Sequence, residues 1–178
     1  MNSKGLAEVL FMYDKLTKND IEKMQKEIEH RKLVVRKEAI EAVKEARAQG
    51  DLSENFEYYA AKREKNMNES RIRYLERMIK TAEVISDASD ADEVGLNNTI
   101  DLYFEDDDAV ETYKLVTNVR ASSLSNLISL ESPLGKAVMG KKIGDRVEVK
   151  VSDTYSYYVT IKAIDKSTDD SEDMIRKF

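Results

Sequence analysis

Gly50-Asp51-Leu52-Ser53-Glu54-Asn55 lies between two long helical patterns and sets two carboxylates three residues apart at the turn that joins them. Upstream, from Thr17, the apolar positions Ile21, Met24, Ile28, Val35, Ala39, Ala42 and Ala46 recur mostly three, four or seven apart, one stripe along a helix. Thr17 is suited to cap its start, Gln49 to be its last residue, and Gly50 to supply the left-handed conformation that commonly ends a helix. Downstream, Tyr58, Ala61, Lys65, Asn68, Ile72, Leu75, Ile79 and Ala82 keep an unbroken three-four alternation, the seam of a coiled coil. Two such helices pair antiparallel. At about 1.5 Å per residue each arm is roughly 45 Å long, so the turn and its acids are carried well beyond a small globular domain.

The seam weakens toward the turn, where Ala39, Ala42 and Ala46 are small and Lys65 and Asn68 polar, so packing is expected to be strongest at the open end. A polar seam residue such as Asn68 commonly fixes register at some cost in stability. His30, the single histidine, falls mid-helix and reads as a surface or seam position.

The 178-residue chain can hold one ordinary domain or two small ones. It has no cysteine, which excludes disulfides, thiolate metal sites and a cysteine nucleophile, and fits the cytoplasm. Leu6, Val9, Leu10, Phe11 and Met12 form an apolar patch, but it is interrupted by Glu8 and too short for a membrane span or a secretory signal. The net charge of −6 is unevenly spread: residues 1–86 hold 18 Lys and Arg against 16 Asp and Glu, whereas residues 87–178 hold 11 against 19. Phosphate contacts need basic groups, so nucleic-acid contact is expected of the hairpin rather than of the second half. Between Arg31 and Arg47 there are six basic and three acidic residues, and Lys62, Arg63 and Lys65 surround only Glu64, so the half nearer the turn is locally positive.

The pattern divides the chain into an N-terminal extension (1–16), a coiled-coil hairpin (17–86) with its acidic turn at 50–55, a linker (87–98), a small β domain (99–165) and an acidic tail (166–178). Ile100, Leu102 and Phe104 alternate, as do Tyr113, Leu115 and Val116 less cleanly, with Glu105 to Asp108 as the turn of a hairpin between them. Leu127 to Leu130 reads as a third strand, and Pro133 opens a short helix ending near Gly140. Gly144 and Asp145 turn into Val147, Val149 and Val151, and Tyr157, Val159 and Ile161 supply the last strand. The tail, polar and acidic with Met174, Ile175 and Phe178 as its only anchors, is expected to be mobile.

The run Ala46 to Lys62, with Gly50, Asp51, Leu52, Ser53, Glu54, Asn55, Glu57, Tyr58, Ala60 and Ala61, closely resembles the tip signature of the Gre family (GreA/GreB-type) of transcript cleavage factors. The resemblance extends without a gap from Thr17 to about Ile85. Ile128-Ser129, Ser132-Pro133-Leu134-Gly135-Lys136-Ala137, Gly140-Lys141 and Gly144-Asp145 resemble the family's FKBP-like C-terminal domain. The fold class it implies is α+β: a long antiparallel helical hairpin, then a small FKBP-like antiparallel sheet with a short helix.

The resemblance implies an indirect mechanism, not an enzyme in its own right. The C-terminal domain docks on bacterial RNA polymerase, and the tip enters the secondary channel. There Asp51 and Glu54 help hold a shared Mg²⁺ and the attacking water, so that the polymerase cuts the 3′ end of its backtracked nascent RNA. Arg47, Lys62 and Arg63 match basic positions that guide the RNA, and Arg120, Ser122, Ser132 and Pro133 match the docking region. Two carboxylates leave most positions of an octahedral Mg²⁺ unfilled, so such a site would be completed by the polymerase. Asp51 followed by Glu54 also fits a capping box, with Asp51 capping the second helix and Glu54 reaching back to it. Tyr58 and Tyr59 are candidates for base stacking, although Tyr58 lies in the seam.

The chain departs from the family pattern at four places. Arg120-Ala121-Ser122 stands where a Glu-Ala-Asp run is usual, removing two acids from a docking loop. Phe56 replaces a small residue just past the tip. Lys37 replaces a common proline, which predicts a straighter first helix. About ten extra residues precede Thr17, and their apolar patch is suited to pack on the base of the hairpin. Arg120, Ser122 and Phe56 raise a second function, a secondary-channel regulator or inhibitor with little cleavage. A coiled-coil adaptor without a polymerase partner and a prolyl isomerase, resting on fold analogy alone, are further readings. The intrachain hairpin satisfies its own seam, so a monomer is expected.

Overall fold

The computed structural model describes residues 14–50, 55–167, 169–171 and 173–176. The chain forms two compact units, one holding residues 19–83 and the other residues 84 onward together with Lys15–Lys18. Leu6 to Met12, expected to pack on the hairpin base, lie outside the described residues.

The first unit is the helical hairpin. One arm is built of α1 (Lys18–His30), a five-residue π turn (Arg31–Val35) and α2 (Arg36–Ala48). The other is the single 26-residue helix α3 (Phe56–Thr81). Thr17 stands immediately before the first helical residue, where a cap belongs. Met24, Ile72, Leu75 and Met78 are buried toward the open end, while only Ala46 is a buried apolar side chain on α2, so the large seam residues do gather away from the turn.

The first arm is interrupted by the π turn at Arg31–Val35, upstream of Lys37. Within the π turn the Arg36 N–H reaches back to the Arg31 carbonyl, and the Asn68 side-chain amide donates to the same oxygen at 3.4 Å. Arg31 Nη1 returns a hydrogen bond to Asn68 Oδ1 at 3.1 Å. Asn68, buried in the seam, is thus matched on both amide atoms by one residue of the opposite arm, which fixes register as a polar seam residue should. Beyond the inserted residue the seam shifts, and Ala42 is exposed while Val43 is half-buried.

Next to this pair Glu27 accepts from Arg31 Nε at 2.7 Å and from Arg71 Nε and Nη2 at 2.9 and 3.1 Å. Burial pushes the Glu27 carboxyl up, but the hydrogen bonds and charges of Arg71 and Arg31 outweigh it and hold the group below the usual glutamate range. Arg36 grips Glu69 with two hydrogen bonds of 2.7 and 2.8 Å, and Lys32 meets Glu76 at 2.5 Å, so three ionic cross-links tie the arms.

Strand β1 (Lys15–Leu16) pairs with β2 (Glu83–Val84). The second unit is a five-stranded sheet. Its strands are β3 (Thr99–Phe104), β4 (Ala109–Val116), β5 (Leu127–Ser129), β6 (Arg146–Lys150) and β7 (Ser156–Asp165), in spatial order β5-β4-β3-β7-β6. A short helix α4 (Pro133–Val138) follows β5. Ile100, Leu102, Leu115, Val147, Val149, Val159 and Ile161 alternate inward to make the core, with Val138 from α4 against them.

Three expectations need correction here. The sheet is mixed rather than wholly antiparallel, because β5 runs parallel to β4. Two 3₁₀ turns, Asn118–Arg120 and Ser123–Ser125, and Asn126 at φ +52° carry the chain across between them, where a tight hairpin would have returned it antiparallel. The second half of the expected linker is core: Val94 and Leu96 are buried, and Asn97 and Asn98 extend the backbone bonding of Leu115. A Cβ on Gly95 would stand 2.1 Å from the Ser89 hydroxyl, so the segment closes on itself without room for a side chain there. The described tail residues are tied down. Lys114 donates to the Asp169 carbonyl and to Asp173, each at 2.7 Å, and the Arg176 N–H donates to the Val119 carbonyl at 2.7 Å.

Candidate functional site at the hairpin turn

The turn is closed by Asn55. Its Oδ1 accepts from the Tyr58 N–H at 2.9 Å, which makes Asn55 the N-cap of α3. Its Nδ2 donates to the Ala46 carbonyl at 2.6 Å, the same oxygen that accepts the Gln49 N–H at the end of α2. One amide therefore caps the start of one arm and bonds across the turn to the last turn of the other. The capping role that competed for Asp51 and Glu54 is filled by Asn55, and α3 begins at Phe56 rather than within the acidic stretch. Asp51 and Glu54 themselves lie outside the described residues. Gly50 stands at φ +136°, a backbone that side-chain-bearing residues rarely adopt, as expected of the residue that ends the first arm.

Arg47 and Lys62, from opposite arms, converge on one ring. The Arg47 guanidinium lies 5.7 Å and the Lys62 ammonium 5.8 Å from the centre of Tyr58, within cation–π range. Tyr58 is half-buried and meets Tyr59 edge-on at 5.6 Å. Arg63 is exposed one residue further along. The three cations expected to guide RNA thus sit within two turns of the cap, and two are held over an aromatic face.

The residues expected to dock on a partner fall in the second unit, around an open groove of about 1080 Å³ between the β4–β5 crossover and the tail. Leu124 and Met174 are the exposed apolar side chains on it, 98% and 76% accessible. Ser122 exchanges both backbone hydrogen bonds with Leu127 at 2.9 Å. Ser132 caps α4 by accepting from the Gly135 N–H at 3.0 Å, donates to the Ser129 carbonyl at 2.7 Å, and is followed by exposed Pro133. Arg120 is not a surface group. Its side chain is fully buried, donates to Asn97 Oδ1 at 2.6 Å and pairs with Asp173 at 3.1 Å and Asp170 at 3.6 Å. The positive charge that replaces an acid in this loop is therefore neutralised by acids of the tail.

Sequence reasoning missed Asn55 as the cap and Asp170 and Asp173 as partners of Arg120. The first had a signal, since asparagine immediately before a helical run is among the best caps. The second had none, because fifty or more residues separate the partners.

Residues 15–84 match the family described as "Transcription elongation factor, N-terminal", and residues 88–166 the one described as "Transcription elongation factor, GreA/GreB, C-term". Transcription elongation factor GreA of Thermoanaerobacter pseudethanolicus is 44% identical over 137 residues, 76% of this chain and 87% of that protein. GreA of Streptococcus pneumoniae is 40% identical over 153 residues, 85% of this chain and 95% of that one. Among solved structures, the GreA factor homolog Gfh1 of Thermus thermophilus is 25% identical, covering 85% of this chain and 97% of that one at a TM-score of 0.39. The two matched segments and these identities define a two-part elongation factor. The chain belongs to the GreA/GreB family of transcription elongation factors.

Proposed function

We propose that the hairpin turn enters the secondary channel of bacterial RNA polymerase and stimulates the polymerase's own cleavage of the 3′ end of backtracked nascent RNA, relieving arrest. The observation that supports this reading is the cap: the N-cap of α3 is Asn55, a position other than Asp51 and Glu54. Asp51 and Glu54 act as the catalytic pair. The factor is a stimulator and not itself a nuclease.

The donor set fits a shared metal ion. Mg²⁺ takes about six oxygens in near-octahedral array, and the turn offers two carboxylates. Asn55 Oδ1 is spent on the Tyr58 N–H, and the described side chains near the turn include the cations Arg47, Lys62 and Arg63 and the exposed carboxylate of Glu57. Asp51 and Glu54 would hold the ion jointly with polymerase groups. When bound, the ion would supply activation of the attacking water and stabilisation of the leaving oxygen. Arg47, Lys62 and Arg63 draw the extruded phosphates toward the turn, with Arg47 and Lys62 oriented by Tyr58.

Docking falls to the groove of the second unit, with Ser122 and Ser132 lining it, exposed Pro133 following Ser132, and Leu124 as its apolar anchor. Arg120 acts there as a positioning residue, tying the crossover to the tail. We expect a monomer in the cytoplasm; no described helix is long and apolar enough to cross a membrane. Adding the protein and Mg²⁺ to a stalled, backtracked complex should shorten its RNA from the 3′ end. RNA left intact while the protein competes with a genuine cleavage factor would make it a channel-occupying regulator instead.

A further inference from the structure

Phe56 is the most exposed aromatic ring among the described residues whose exposure is prominent, 86% accessible at the first position of α3, and Tyr59 is 53% accessible. Positions three apart on a helix share a face, and the next positions on that face are Lys62 and Arg63. A single exposed phenylalanine needs no explanation. Two exposed rings followed by two cations, with Arg47 nearby on the facing arm, make a different surface, one that pairs π-faces with positive charge. Single-stranded nucleic acid has the complementary chemistry, flat bases on a phosphate chain. Tyr58 is not part of that surface, since Arg47 and Lys62 already lie against its ring.

We propose that Phe56 and Tyr59 form a stacking platform for the unpaired 3′-terminal base of the extruded RNA. The inference rests on the cleavage-factor reading above and adds two positioning residues to it. Phe56 suits the task because the Asn55 cap fixes the end of the helix that carries it. An apolar pocket on the polymerase is the competing occupant, and the charge around the rings argues against it.

The test uses reconstituted backtracked complexes whose 3′-terminal nucleotide is either normal or abasic, read as the factor concentration giving half-maximal cleavage. Stacking of one base is worth roughly 5- to 150-fold, so Phe56→Ala should raise that concentration by about tenfold or more, and Tyr59→Ala should raise it less. Phe56→Trp should restore it, whereas Phe56→Leu, apolar but without a π-face, should not. The abasic end should weaken the wild type by a similar factor and leave Phe56→Ala unchanged. Equal concentrations for normal and abasic ends, or a Phe56→Leu variant as good as wild type, would overturn the platform alone. No cleavage by the intact factor would overturn the underlying reading and the platform with it.

Discussion

At the scale of single residues, Asn55 decides how the turn is read. Its two hydrogen bonds can be separated by substitution. Asn55→Ala removes both and should cost about 1–2 kcal/mol in thermal unfolding. Asn55→Asp keeps the acceptor for Tyr58 and loses the donor to Ala46, so it should recover most of that stability yet still lower cleavage through a loosened turn. Both variants at wild-type stability would remove Asn55 from its place as the cap. The presence of acids at the turn was legible in the sequence, but the identity of the cap was not. Asp51, Ser53 and Asn55 are all good caps, and which one serves depends on where the loop meets α3, a fact of three dimensions.

At the scale of elements, the hairpin is tied by Glu27 between Arg31 and Arg71. Because the folded-state carboxyl of Glu27 is held below its ordinary range, its contribution is present above the unfolded value of about 4.3 and is lost as pH falls through the lower folded value. Melting of the helical signal should therefore shift down on acidification below about pH 4.3. Glu27→Gln should lower stability at pH 7 by about 2 kcal/mol and flatten that part of the acid response, since Arg71 is left buried without its counter-charge. An unchanged acid profile in Glu27→Gln would exclude this pair as its source. The apolar spacing gave both arms and their seam but not the π turn, which arises where Asn68 engages the Arg31 carbonyl across the hairpin. In the second unit the alternating strands were readable, while the parallel return of β5 and the pinned tail were not. Both depend on long-range contacts, the tail on Arg120 with Asp170 and Asp173. Removing both acids, as Asp170→Asn with Asp173→Asn, should cost about 3 kcal/mol by taking two counter-charges from a buried guanidinium, measurable by chemical denaturation.

At the scale of the whole molecule, the proposed function divides the work between a unit that delivers and a unit that docks. On that proposal the departures at Arg120 and Ser122 bear on docking and the acids on chemistry, so the two can be perturbed separately. Leu124→Asp, at the rim of the groove, should weaken polymerase binding by about tenfold while cleavage at saturating factor stays near wild type. Loss of cleavage without loss of binding in that variant would contradict the division. The most direct test of the central claim is transcript shortening in a backtracked complex by the wild type and by Asp51→Asn and Glu54→Gln, with polymerase binding measured in the same samples. Shortening abolished in both variants while binding is kept is the predicted result, and cleavage at the wild-type rate in either variant would contradict it.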